Sequence, residues 1–156
     1  IIKQKPNIKL YILGVGHYAP NLEEVKNFID NKGLSDNIIL IPWLSQSDIH
    51  QYILKSDFYV STSLYEGLPL GIIEALSLSK PIVASRVYGN VDCVIDNKNG
   101  YLINLNEKEF VEKILELIDN SKKKKEFSRF SRELYEDKFN IEENINFLEN
   151  IYLSLF

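Results

Sequence analysis

Two carboxylates, Glu66 and Glu74, lie in one short stretch, Tyr65-Glu66-Gly67-Leu68-Pro69-Leu70-Gly71-Ile72-Ile73-Glu74-Ala75, with seven residues between them. An apolar run, Phe58-Tyr59-Val60, leads in, and a helix-like run from Leu70 to Leu78 leads out. The first acid therefore belongs in a strand-to-helix loop and the second about a turn inside the helix. Pro69 suits the first helical turn, where its missing N–H costs nothing. Free backbone N–H groups at such a helix start favour an anion, typically a phosphate. A phosphate held between an upstream and a downstream carboxylate suits a ligand with hydroxyls on both sides of it. A nucleotide-sugar has that order: sugar, diphosphate, ribose. The plainer reading is a helix with an N-terminal acid and one exposed Glu, and spacing alone favours it.

The run Glu66 to Ala75 resembles the signature of retaining glycosyltransferases of the GT-B fold, family four, also called group 1 glycosyltransferases. Lys80-Pro81-Ile82-Val83-Ala84-Ser85 resembles that family's next strand. Gly89-Asn90-Val91-Asp92-Cys93-Val94-Ile95-Asp96-Asn97-Lys98-Asn99-Gly100-Tyr101-Leu102-Ile103 resembles the loop and short strand after it. Upstream, Lys9 to Gly16 and Asn37 to Trp43 also fit. The motifs cover nearly the whole chain and fall in the family's order, which is more specific than any one of them.

The resemblance implies an α/β fold: a Rossmann-like three-layer parallel sheet with helices on both faces, the C-terminal half of a GT-B fold. Residues 1–156 would form a nucleotide-sugar-binding domain without its first strand-helix unit and without the N-terminal acceptor domain. The parent would be a retaining hexosyltransferase that moves a sugar from a UDP- or GDP-sugar to an acceptor hydroxyl, in bacterial surface polysaccharide synthesis. Glu66 would be the catalytic group against the donor sugar, and Glu74 would accept from the ribose hydroxyls. Gly67, Leu68, Leu70, Gly71 and Ile72 would complete the donor contacts, and Pro42 and Trp43 could meet the base. No cofactor and no metal is implied. A saccharide or lipid-linked acceptor would be held by the N-terminal domain, and the protein would be cytoplasmic, with peripheral contact at the inner face of the cell membrane.

Two departures from the family pattern bear on activity. Pro69 stands where the family usually has Gly, removing one backbone donor. The family's Arg and Lys phosphate ligands belong to a strand and loop before Ile1, so these residues alone are expected to be inactive and to bind nucleotide diphosphates weakly, on the order of millimolar. Two other readings compete. A sugar-nucleotide epimerase shares the fold but needs a different residue set, and a non-catalytic nucleotide-sugar-binding module would keep Glu74 without turnover.

The elements that must position these groups follow from the apolar pattern. A chain of 156 residues is one domain by size. Its net charge of −4 argues against a nucleic-acid partner. The lone Cys93 excludes an intrachain disulfide, which fits a reducing compartment. No apolar run is long enough for a membrane span, no signal peptide opens the chain, and the absence of Met suggests a piece of something longer. Ile8 to Leu13 reads as a strand ending in the turn Gly14-Val15-Gly16, with His17 a solvated loop residue. Asn21 could cap a helix from Leu22 to about Lys32, with Leu22, Val25, Phe28 and Ile29 on one face and Gly33 stopping it. Asn37 to Ile41 is a strand, closed by Pro42-Trp43; Trp43 either packs on the base or lids the core. Ser45 or Ser47 could cap a helix carrying Ile49, Tyr52, Ile53 and Leu54 inward, with His50 on its surface.

Asn37 to Ile41 carries four consecutive apolar residues, the mark of a strand buried on both faces, and Asp57 to Ser61 and Pro81 to Ser85 are the next strands. Arg86 could neutralise a diphosphate, but a surface salt bridge is the preferred role. A short element spans Asp92 to Ile95, and Tyr101 to Ile103 is the last strand. Everything beyond Asn106 looks helical, with Phe110, Val111, Ile114, Leu115 and Ile118 at helical spacing. Lys122 to Lys125 reads as a basic run between helices, a solvated face with a membrane-surface patch as the sharper alternative. Phe139 to Phe156 is a final amphipathic helix.

Overall fold

The computed structural model describes residues 1–16 and 21–155; His17 lies outside them. Strands and helices alternate as the sequence predicts: β1 (Leu10–Ile12), α1 (Leu22–Asn31), β2 (Ile38–Leu40), α2 (Gln46–Lys55), β3 (Tyr59–Ser61), α3 (Leu70–Ser77), β4 (Ile82–Ser85), α4 (Asn90–Cys93), β5 (Gly100–Ile103), α5 (Glu107–Asp119), α6 (Ser121–Lys138) and α7 (Ile141–Ser154). Helical crossovers between successive strands make parallel pairing the natural outcome. The chain divides into two compact units, Ile1–Tyr52 and Ile53–Phe156.

In the first unit β1 and β2 pair in parallel, Leu10 opposite Ile38 and Ile12 opposite Leu40. Asn37 is buried and donates from Nδ2 to the carbonyls of Pro6 (2.8 Å) and Ile8 (2.7 Å), fixing the strand entry. Asn21 precedes α1 but sits at φ 67° and makes no side-chain cap, contrary to expectation. Ser45 does cap α2, accepting from the Asp48 N–H at 3.3 Å.

The second unit is the Rossmann-like part, with parallel order β3-β4-β5. Every residue of β4 and β5 is buried. Val83, Tyr101, Ile103, Phe110, Leu117 and Phe127 form its core, drawn from β4, β5, α5 and α6. Gly100 is required where it stands: a methyl group there would lie 2.1 Å from the Ile82 carbonyl oxygen on β4. Asn99, fully buried, accepts from the Ile95 N–H (2.7 Å) and donates to the Cys93 carbonyl (3.0 Å), which shapes the turn into β5.

The helices after β5 begin at asparagines. Asn106, Asn120 and Asn140 each accept backbone N–H groups at the starts of α5, α6 and α7. The Asn120 cap corrects the reading of Lys122 to Lys125, which form the first turns of α6 rather than a connector. Lys123 pairs with Glu116 at 2.5 Å, and Lys124 with Asp57 at 2.9 Å. The short element after β4 runs Asn90–Cys93, two residues earlier than its apolar pattern suggests, because Asn90 Nδ2 donates to the Ser85 carbonyl at 2.9 Å. Three bonds tie α6 and the β4 entry to neighbouring segments: Ser131 Oγ to the Lys80 carbonyl (2.7 Å), Arg132 Nη1 to the Ser77 carbonyl (2.6 Å) and Lys80 Nζ to the Ser56 carbonyl (2.8 Å). No helix among the described residues is long and apolar enough to cross a membrane.

Candidate functional site

The stretch holding Glu66 and Glu74 leaves β3 at its C-terminal end and becomes α3. The loop before Glu66 is held by hydroxyls. Ser61 Oγ lies 3.2 Å from Ser63 Oγ, and Ser63 Oγ donates to Glu66 Oε1 at 2.7 Å. Ser85, buried at the end of β4, donates to the Ser63 carbonyl at 2.6 Å. From the next loop the Gly89 N–H donates to the Glu66 carbonyl at 3.0 Å. Gly89 passes so close that a methyl group there would sit 2.4 Å from the Gly67 carbonyl oxygen. Glu66 is thus a half-buried carboxylate with its orientation set by Ser63 and its backbone set by Gly89. A hydrogen bond to a charged group contributes about 1.5–3 kcal/mol, enough to hold one rotamer.

At the helix start, Pro69 occupies the capping position rather than the first turn. Its carbonyl accepts both the Ile72 N–H (2.9 Å) and the Ile73 N–H (3.1 Å), and the Leu70 N–H turns to Leu68. The expected row of outward donors is therefore shortened. Gly71 N–H, in the same turn, finds no backbone acceptor among the described residues. Ile72 is fully buried, so its side chain supports the helix from the core, whereas Leu68 and Leu70 are exposed. Glu74 follows one turn on and is half-buried.

Tyr59 of β3 reaches under this first turn. A methyl group added at Gly71 would lie 2.5 Å from the Tyr59 hydroxyl oxygen. Burial, followed by the negative charges of Glu74 and Glu66, pushes the phenol above its ordinary range, so the hydroxyl keeps its proton at neutral pH. Both carboxylates thus act electrostatically on one tyrosine. Tyr59 stands in the run that leads into the motif, and Ser85 and Gly89 in stretches that resemble the family, but nothing in the sequence gives them their contacts with Gly71, Ser63 and Glu66; Ser63, three residues before Glu66, is the one supporting group that spacing could have suggested.

Other candidates are accounted for by the structure. Arg86 donates from Nη2 to the Leu102 carbonyl (3.1 Å) and stands 3.9 Å from Asp96, the salt-bridge role preferred on sequence grounds. Cys93 is buried and its thiol is pushed up to about 11, chiefly by burial, which removes it as a nucleophile. Among the described residues no group of three or more His, Cys, Asp or Glu side chains could hold a metal ion. In the first unit, Val15 N–H donates to the Ile41 carbonyl at 3.0 Å, joining the loops after β1 and β2. A methyl group at Gly16 would lie 2.6 Å from Trp43 Nε1. Trp43 itself is 77% exposed, so it does not lid the core.

The profile of the family described as "Glycosyl transferases group 1" matches residues 1–134. The chain belongs to this family. Among curated relatives, the Staphylococcus aureus poly(ribitol-phosphate) alpha-N-acetylglucosaminyltransferase is 33% identical over 99% of this chain and 31% of its own length. An Escherichia coli UDP-Gal:alpha-D-GlcNAc-diphosphoundecaprenol alpha-1,3-galactosyltransferase is 28% identical over 96% of this chain and 38% of its own. Among solved structures, a point mutant of S. aureus TarM in complex with fondaparinux, alpha-GlcNAc-glycerol and UDP superposes with a TM-score of 0.84 and 31% identity, over 97% of this chain and 30% of that one. This group 1 glycosyltransferase chain therefore spans about a third of the length of the relatives it matches. Its parallel strands flanked by helices have the Rossmann-like fold of GT-B C-terminal domains.

Proposed function

We propose that this domain is the donor lobe of a retaining hexosyltransferase, which moves a sugar from a UDP- or GDP-sugar to an acceptor hydroxyl in bacterial surface polysaccharide synthesis. One observation carries the reading: Glu66, braced by Ser63, and Glu74, one turn into α3, flank a helix start at which Gly71 N–H is turned to no backbone acceptor. In the reaction the bond from the anomeric carbon to the phosphate oxygen breaks and its electron pair leaves with the diphosphate. The acceptor oxygen bonds to the same carbon, and its proton passes to the departing diphosphate oxygen. Positive charge grows on the sugar, and the Glu66 carboxylate is the group set to stabilise it. The start of α3 meets the departing negative charge, with Gly71 N–H offered to it and Gly67 and Leu68 beside it, while Leu70, whose N–H is turned to Leu68, contacts the donor by its exposed side chain. Glu74 accepts from the ribose hydroxyls, and Pro42 and Trp43 are the proposed base contact.

The relatives support the donor and acceptor classes by their names, which specify UDP-Gal in one case and poly(ribitol-phosphate) in another. We extend the reading to the domain's limits. Leu10, Tyr11 and Ile12 on β1 are exposed apolar residues, which fits a first strand-helix unit preceding this one in the full chain. An N-terminal domain would hold the saccharide or lipid-linked acceptor, and the residues described here would not turn over alone. The site of action would be the cytoplasm, at the inner face of the membrane. Lys122 and Lys125 are the exposed lysines of the basic run, the other two being engaged in ion pairs.

The test is steady-state kinetics on the full-length protein. Ribose contacts are alike in ground and transition state, so Glu74→Ala raises the donor KM about ten- to a hundredfold and leaves kcat nearly unchanged. Glu66→Ala lowers kcat by at least that factor, because its contact strengthens as charge develops. Wild-type kcat and KM in both variants would remove the reading. Loss of kcat with KM intact in Glu74→Ala would reverse the two roles.

A further inference from the structure

We propose that Tyr59 is a positioning residue of the donor site, its hydroxyl seated in the notch left by Gly71 and fixing where the first turn of α3 stands. This rests on the donor-lobe reading above. Tyr59 belongs to β3, the strand that delivers the loop with Glu66, while Gly71 belongs to the helix that carries Glu74. One contact therefore links the elements bearing the two carboxylates. The fit is close: a methyl group at position 71 would meet the hydroxyl oxygen at 2.5 Å but the ring carbon behind it at 3.4 Å. The hydroxyl, not the ring, is what demands glycine. Tyr59 makes no direct claim on the sugar; it acts through Gly71 N–H and Glu74.

The geometry gives a double-variant test in the full-length protein, with UDP and GDP as probes in titration calorimetry. Gly71→Ala forces its methyl against the hydroxyl and displaces the helix start, weakening nucleotide binding roughly tenfold, within the range of contacting pairs. Tyr59→Phe alone leaves a hydroxyl-sized gap into which the helix start can move, and weakens binding about threefold. The double variant puts the alanine methyl where the hydroxyl was, and binding returns to within about threefold of wild type. Helix propensity works in the same direction, since alanine is favoured over glycine inside a helix.

Unchanged binding in Gly71→Ala, or a double variant no better than Gly71→Ala, overturns the positioning role. Rescue of melting temperature with no change in nucleotide affinity overturns it too, since that marks packing alone. Should Gly71→Ala fail to fold, Tyr59→Phe decides: weaker nucleotide binding by a variant that stays folded upholds the role, and unchanged binding overturns it. A wild-type protein that binds neither UDP nor GDP overturns the donor reading and this role together. The melting temperatures of the four proteins then still report the Tyr59–Gly71 contact, so the two failures are told apart.

Discussion

In the unit from Ile53 onward, Ile82 to Ser85 and Gly100 to Ile103 are buried without exception, and Leu117 and Phe127 close over them. In the unit ending at Tyr52, Leu10, Tyr11 and Ile12 are 44%, 45% and 38% exposed, and Phe28 of α1 is 58% exposed. Both units use short apolar parallel strands followed by amphipathic helices, so residue type does not separate them. The number of covering elements does. β4 has a strand on each side and meets α3 and α5, whereas β1 has β2 as its one hydrogen-bonded neighbour among the described residues. Apolar sequence creates the demand for burial, and neighbours determine whether it is met. Since apolar burial contributes roughly 25 cal/mol per Å², the second unit, which holds most of the buried apolar residues, gains more from burial than the first.

The contrast is broken most severely at glycine. Gly100→Ala sets a methyl 2.1 Å from a backbone oxygen that cannot rotate away. It is expected to cost at least about 4 kcal/mol in urea unfolding. Gly14→Ala, at φ 77° with nothing within 4 Å, carries left-handed backbone strain alone, about 1–2 kcal/mol. Equal losses at the two positions would show that the units are equally packed. Next comes side-chain truncation. Leu117→Ala, from a fully buried position, should lose about 2–5 kcal/mol. Ile12→Ala, on exposed β1, should lose less than about 1 kcal/mol. A larger loss at Ile12 would mean that β1 is covered in the full-length protein.

Trp43 sharpens the comparison from the side of function. Its exposure predicts that Trp43→Ala leaves the melting temperature of the full-length protein unchanged. As a base contact it would raise the donor KM about five- to tenfold, the low end for stacking on an aromatic ring. A fall in melting temperature without a change in KM would reverse that assignment. The smallest effect is electrostatic. Lys123 first, with Tyr101 and Lys113, holds the Glu116 carboxyl down at about 2 against the opposing effect of burial. A depressed carboxyl stabilises the fold above its unfolded value, about 4.3, and that stability is lost as pH falls toward 2. Acid unfolding of Glu116→Gln should therefore be less pH-dependent between these limits. The exposed Lys26–Glu23 pair of α1 offers the control, since such pairs contribute at most about 0.5 kcal/mol. An unchanged acid limb in Glu116→Gln would assign the same small value to both units.

The sequence made the alternation of strands with helices and the two acids legible, because both rest on local patterns: continuous apolar runs, and a motif read in one stretch. It misplaced what depends on distant partners. Lys122 to Lys125 look like a solvated connector until Asp57, 67 positions earlier, takes Lys124. The short helix at Asn90 starts early because of a bond to Ser85 that hydropathy cannot show. Asn21 has the right identity for a cap and the wrong backbone. At the site, Glu66 and Glu74 were visible, but the reason for Gly71 was not, since the atom that fills its notch comes from the preceding strand.

The bonds from α6 back toward α3 have a consequence for synthesis. Ser131 and Arg132 reach partners 51 and 55 positions earlier, at Lys80 and Ser77. At about 5–20 residues per second, the ribosome delivers those anchors roughly 3–10 s after the segment they hold. During that interval the helix bearing Glu74 has been translated but lacks its two fastenings. A nascent chain halted before Ser131 would expose the apolar face of this helix to chaperones and proteases, and Glu74 would be among the last groups of its unit to reach its final place.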